Sequence, residues 1–130
     1  MSRRAAPSVI DNVPVIQSDY TFTSLVNAFQ GQDAVICAIA ADNIEVQYKI
    51  IDAAVAAKVK RFIPDEFGID TSPRKSGEMD TFFKTKQNVA AYLQQKEAEG
   101  LSWTALCTGI WIDWVSIFFS ATPLRSADWG

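Results

Sequence analysis

Seven consecutive apolar residues, Ala34-Val35-Ile36-Cys37-Ala38-Ile39-Ala40, constrain this chain more than any other segment. A strand with one face in water alternates apolar and polar side chains. A run without alternation is the pattern of a strand covered on both faces, which parallel sheets provide. Parallel strands need long crossovers, normally helices, and helix-like segments stand where the crossovers fall. Val13 to Gln17 is a short β-type run ending at Ser18-Asp19. Thr21 to Gln30 reads as a helix capped by Thr21 or Thr23, with Leu25, Ala28 and Phe29 on one face and Gly31-Gln32-Asp33 as its stop.

After the apolar run, Asp42 or Asn43 is placed to cap a second helix, with Glu45 in its first turn and Lys58 and Lys60 in its last. Ile44, Tyr48, Ile51 and Val55 form its apolar stripe. Arg61 to Pro64 is the next strand. A polar loop follows from Asp65 to Glu78, punctuated by Gly68, Pro73 and Gly77. Met79 to Gln95 is a third helix, Ser102 to Cys107 another strand, and Ile110 to Phe119 a last helix. This alternation predicts an α/β fold, a doubly wound parallel sheet in one domain spanning 1–130. Ligands in such sheets lie beyond the carboxyl ends of the strands. The residues that follow the strands therefore matter most: Asp19 and Tyr20, Ala40 to Asp42, Asp65 to Gly68, and Thr108 to Trp111.

Composition excludes several functions. Twelve basic against fifteen acidic residues leave a net charge of −3, with no basic excess to neutralise a phosphate backbone, so nucleic acid is not expected as a partner. With no histidine, Ser–His and Cys–His nucleophile pairs and imidazole zinc sites are ruled out. Cys37 and Cys107 each lie in an apolar run and read as reduced, inert packing in a cytoplasmic protein. No apolar run follows the basic start Met1-Ser2-Arg3-Arg4, so a secretory signal is not expected. Leu101 to Leu124 carries a single charge, Asp113, and meets the length of a membrane span. Its Ser, Thr and Gly residues read instead as strand, turn and helix, and no membrane partner is expected.

Lys86 is the leading candidate for chemistry. At helical spacing it shares a face with Phe82, Val89, Ala90 and Leu93, so its ammonium leaves from an apolar stripe. Partial burial there would depress its pKa and make it a usable acid or base. The alternative is a lysine that snorkels from the stripe edge to water. Lys84 points away from that face.

The segment Val59-Lys60-Arg61-Phe62-Ile63-Pro64-Asp65-Glu66-Phe67-Gly68 resembles the signature strand and loop of the isoflavone reductase-like (NmrA-like) proteins, atypical short-chain dehydrogenases with a Rossmann fold. Gln17-Ser18-Asp19-Tyr20, followed by Ser24-Leu25 and by Ala28 to Ile36, resembles that fold's third strand, helix and fourth strand. Phe83 to Val89 resembles the helix that carries the family's active-site lysine. Leu101 to Thr104 and Gly109 to Trp114 resemble the following strand and substrate-side segment. The resemblance covers residues 13 to 119. It departs from the family pattern at Asp65, where serine is usual, and at Ala90, where reductases often have arginine.

The resemblance implies an NADPH-dependent oxidoreductase acting on a small carbonyl or enone. Hydride comes from the nicotinamide and a proton from Lys86. It implies Arg3 or Arg4 at the 2′-phosphate, Asp19 near the adenine, Ala40 along the cofactor, and Glu66 and Phe67 beside the nicotinamide. Trp111 and Ile112 fall on the substrate side. Residue by residue, plainer readings stand alongside: Asp19 as the start of the next helix, Glu66 as a loop-closing carboxylate, and Trp111, Ile112 and Trp114 as core or subunit contacts.

The family's first strand and Gly-x-x-Gly-x-x-Gly turn have no counterpart among glycines 31, 68, 77, 100, 109 and 130. The expectation is thus a partial Rossmann-type sheet, truncated at the N-terminus and also at the C-terminus. In strand order 3-2-1-4-5-6, losing strands 1 and 2 empties the centre of the sheet and exposes an edge for self-association. A non-catalytic NADP-sensing regulator and an inactive fragment are the alternatives to the reductase.

Overall fold

The structure, a computed structural model, describes residues 9–39, 43–72 and 81–112. Its elements in chain order are β1 (Val9–Ile10), β2 (Val13–Pro14), α1 (Phe22–Phe29), β3 (Ala34–Ile36), α2 (Val46–Ala56), β4 (Arg61–Ile63), α3 (Thr81–Lys96) and β5 (Ser102–Trp103). Strands β3, β4 and β5 form a parallel sheet in that order, with Val35 opposite Phe62 and Phe62 opposite Trp103. This is the α/β architecture that the alternating segments predict, with chain order and sheet order the same.

Val13 does not begin a strand of that sheet. It pairs antiparallel with Ile10, and Val9 with Pro14, in a separate two-stranded hairpin. The reason is local. Asp11 and Asn12 both take positive φ, 49° and 66°, the backbone of the tight turn that joins antiparallel strands and that Asp and Asn tolerate.

Helix α1 starts as expected: the Thr21 hydroxyl accepts the Ser24 N–H at 3.3 Å, and Leu25 and Phe29 are buried. Helix α2 starts later than an Asp42 or Asn43 cap would place it. Bonds of the i to i+3 kind, Gln47 N–H to the Ile44 carbonyl and Tyr48 N–H to the Glu45 carbonyl, make a tight turn first. At the far end of α3, Gly100 takes φ 91°, a left-handed stop open to glycine, and β5 begins two residues on.

One core joins all three helices to one sheet face: Leu25 and Phe29 of α1, Ile50 and Ile51 of α2, Val89 and Leu93 of α3, and Val35 and Phe62 from the strands. The apolar run is therefore not covered twice. Val35 and Cys37 are buried, whereas Ala34, Ile36 and Ala38 are exposed, Ile36 at 65%. No described helix packs on that second face. Beside it, the hairpin and β3 border an apolar groove of about 530 Å³, lined by Val13, Pro14, Ile16, Ala34, Ile36 and Ala38 among others. Of the two cysteines only Cys37 is core; Cys107 is exposed, because β5 stops at Trp103 and the chain beyond it leaves the sheet.

Candidate active site

At the carboxyl end of β4 the chain turns through the buried Pro64 into Asp65-Glu66-Phe67-Gly68. Asp65 is fixed from α2: its N–H donates to the Gln47 side-chain oxygen at 2.9 Å, and Gln47 is 1% exposed. A buried amide side chain of this kind requires a partner, and the strand-end N–H is the one it has.

Lys86 lies on the inner face of α3, one turn before the buried Val89, and is itself buried. It does not snorkel to water. Its Nζ donates to the Asp65 carbonyl at 2.6 Å and to the Glu66 carbonyl at 2.9 Å. The next residue, Gln87, donates from Nε2 to the Thr71 carbonyl at 2.7 Å, and the Thr71 hydroxyl donates to Glu66 Oε2 at 3.1 Å. Helix α3 thus holds both ends of the segment from Asp65 to Thr71.

Two acids lie close enough to the ammonium to feel its charge. Burial raises the Asp65 carboxyl above its ordinary range, and the Lys86 charge pulls it back. Burial also raises Glu66; Lys86 and the Thr71 hydroxyl oppose the rise, and the Asp65 and Asp70 charges add to it. Cys37, at the end of β3, is pushed up to about 12 by burial and by the Asp65 charge. A thiol so far from ionisation is not a nucleophile at neutral pH.

The loop also meets the segment after β5. Gly109 N–H donates to the Gly68 carbonyl at 3.0 Å, and the Trp111 indole N–H donates to the Phe67 carbonyl at 2.7 Å and to Thr108 Oγ1 at 2.8 Å. Trp111 is 51% exposed and Ile112 is 85% exposed, so neither is a core contact within the described residues.

The expected site residues divide accordingly. Lys86, Asp65, Glu66, Phe67 and Trp111 come together in one hydrogen-bonded cluster, in which Glu66 closes the loop through Thr71. Asp19 stands apart: it accepts the Thr21 N–H at 3.0 Å and the Thr21 hydroxyl at 2.8 Å, and those bonds hold its carboxyl below the usual range. Arg4, Arg3, Ala40, Asp42, Trp114 and the helix expected over Ile110 to Phe119 beyond residue 112 lie outside the described residues. Gln47, Thr71 and Gln87 were not anticipated from sequence. Gln47 alone carries a signal, a polar residue one turn after Ile44 on the face that α2 buries.

Among the described residues no cluster of His, Cys, Asp and Glu could hold a metal ion, and no helix is long and apolar enough to cross a membrane. The first part of the apolar stretch beyond Leu101 is the short strand β5.

The family model of the NmrA-like family matches residues 2–125. Oxidoreductase aprR of Aspergillus flavus is 39% identical over 113 residues, covering 86% of this chain and 38% of that protein. An isoflavone reductase crystal structure superposes with a TM-score of 0.61 at 35% identity, over 74% of this chain and 31% of that one. The structure of AtPrR2 with NADP+ and (+)pinoresinol gives 0.60 at 31% identity, over 71% of this chain and 31% of that one. The chain thus spans a little over a third of the length of the Aspergillus flavus relative, and it belongs to the NmrA-like family, on the side of its isoflavone reductase-like oxidoreductases.

Proposed function

We propose that the chain is the nicotinamide-side part of an NADP(H)-dependent reductase domain, with Lys86 as proton donor to a small carbonyl or enone substrate. The observation that carries this reading is the buried Lys86 ammonium, held on two main-chain carbonyls beyond the carboxyl end of β4. That is where open parallel sheets bind ligands. NADP+ is the dinucleotide held by the solved relative AtPrR2.

The donor set fits one end of a dinucleotide and not the other. Lys86 and the loop carbonyls suit the uncharged carboxamide ring and a substrate oxygen. The carboxylates of Asp65 and Glu66 make the surroundings of Lys86 hostile to pyrophosphate, and the sequence contains no glycine turn whose N–H groups would cradle it. When bound, the reduced nicotinamide supplies the hydride. This chain's part is to keep a proton at Lys86 Nζ, to fix that atom against the loop, and to present Trp111 and Ile112 on the substrate side.

Calorimetry with NADPH tests the division. The 130-residue chain is expected to show no binding heat. The same chain fused behind a strand and a Gly-x-x-Gly-x-x-Gly turn is expected to bind at micromolar strength, about −8 kcal/mol. In the fused protein, Lys86→Ala abolishes NADPH oxidation and spares binding. Micromolar binding by the unfused chain defeats the division, and surviving turnover in Lys86→Ala favours a regulator that binds without reacting.

A further inference from the structure

Four consecutive main-chain carbonyls, those of Asp65, Glu66, Phe67 and Gly68, each accept a hydrogen bond from a distant segment. Lys86 Nζ takes the first two, the Trp111 indole N–H the third, and the Gly109 N–H the fourth. Loop carbonyls ordinarily face water, so a run held in this way fixes the main chain in one path.

That path has a weak point between the two sets of anchors. Phe67 takes φ 26°, at the border of the left-handed region, which a bulky residue enters only at a cost in strain. Such a conformation persists only where its surroundings hold it. Lys86 holds the Glu66 carbonyl on one side of Phe67; Trp111 and Gly109 hold the carbonyls on the other. The Glu66 carbonyl belongs to the peptide unit that ends at the Phe67 nitrogen. Relaxing φ at Phe67 turns that unit and carries the acceptor away from Lys86.

Packing does not account for Trp111, since half of its surface is in water. Its polar atom is committed to Phe67 and Thr108. We propose that Trp111 is a positioning residue for Lys86, acting through the Phe67 carbonyl and the main chain of the Glu66–Phe67 peptide. Its importance for catalysis rests on the reading of Lys86 as proton donor; the coupling itself does not.

The test is nuclear magnetic resonance of the whole chain with ¹⁵N-labelled lysine, with neither cofactor nor substrate. The Lys86 ammonium, assigned by its loss in Lys86→Arg, gives a signal while buried acceptors slow its proton exchange. Trp111→Phe is expected to erase that signal and leave the amide signals of Val89 and Leu93 in place. Thr108→Val, which removes only the second acceptor, and Leu106→Ala, which removes a comparably exposed apolar side chain, are expected to keep it. An unchanged Lys86 signal in Trp111→Phe, or equal loss in Leu106→Ala, overturns the proposal. If Trp111→Phe does not fold, exchange in the unmodified chain decides. The indole proton and the Lys86 ammonium protons should gain and lose protection together as urea is added, and separate opening overturns the coupling. In the fused protein that oxidises NADPH, Trp111→Phe should lower kcat on the order of 10-fold and leave the KM for NADPH within about twofold. A coupled Lys86 signal in a fused protein that binds NADPH and never oxidises it refutes the reductase reading alone.

Discussion

Lys86 holds Glu66 by its main chain: the ammonium donates to the Glu66 carbonyl oxygen at 2.9 Å, while the Glu66 carboxylate accepts the Thr71 hydroxyl at 3.1 Å. Side chain and backbone of one residue are thus held by different partners, and each can be removed separately.

Lys86→Met keeps the apolar stem and removes the donors. It leaves the Asp65 and Glu66 carbonyls without the Nζ bonds and both carboxylates without the ammonium beside them. A loss of about 2 kcal/mol in urea unfolding is expected. A change below about 0.5 kcal/mol, the size of an ordinary surface substitution, would show that these bonds do not hold the loop.

Glu66→Gln tests the buried acid. Burial in the folded state raises the Glu66 pKa above its ordinary value of 4.5, so between 4.5 and the raised value the native chain binds more protons than the unfolded one. Stability contributed by this group is then greatest at low pH and declines as pH rises through that window. The amide variant still accepts from Thr71 and does not titrate. Its stability advantage over the parent should be present at neutral pH and shrink on acidification toward 4.5, as followed by thermal melts across pH. An advantage that grows on acidification would mean that the carboxylate form is the one the fold prefers.

The outer edge of β3, along which no described strand is paired, is expected to pair with the same edge of a second copy. In the ladder, Cys37 N–H donates to the Ile63 carbonyl, so by strand alternation the Ile36 and Ala38 amides point away from β4. A two-fold axis at that edge would bring the two exposed Ile36 side chains onto one continuous apolar face. Light scattering should show mass rising with concentration, and Ile36→Lys, a charge on the edge, should return the chain to a monomer. Identical behaviour of the two proteins would place any association elsewhere.

Cofactor choice is expected to lie with Arg3 or Arg4. In the fused protein, alanine at the responsible arginine should weaken NADPH binding by about 10- to 100-fold and leave NADH unchanged, the loss of one charge-assisted contact. Equal affinity of the parent for the two cofactors would remove the 2′-phosphate assignment.

The parallel units were legible in the sequence because apolar runs and 3.6-residue stripes record burial directly. Lys86 was legible as an interior lysine for the same reason. The β1–β2 hairpin is harder to read: Val13 to Gln17 has strand composition, and what decides its pairing lies in the two turn residues before it, Asp11 and Asn12. The exposed face of β3 is hidden from the sequence for another reason. Apolar character at Ala34, Ile36 and Ala38 says that these residues suit a covered strand, not that a described element of this chain covers them. The carbonyls that organise the site were invisible, since every residue has one and only the three-dimensional path brings the donors to them. Trp111 illustrates the difference: its sequence neighbourhood marked it as substrate wall or packing, and its polar atom proved to be bound to the loop.

Because β3, β4 and β5 lie side by side in the order in which they are synthesised, each strand finds its neighbour after a single helical crossover. Contacts close over tens of residues, and among the described residues no pairing in this sheet waits for a distant segment. Local closure of this kind speeds assembly and allows a growing chain to dock each new unit on the one before it. The Lys86 cluster is completed last, when Gly109 and Trp111 reach the loop after β4. Among the described residues, the site is therefore completed on a sheet already formed beneath it.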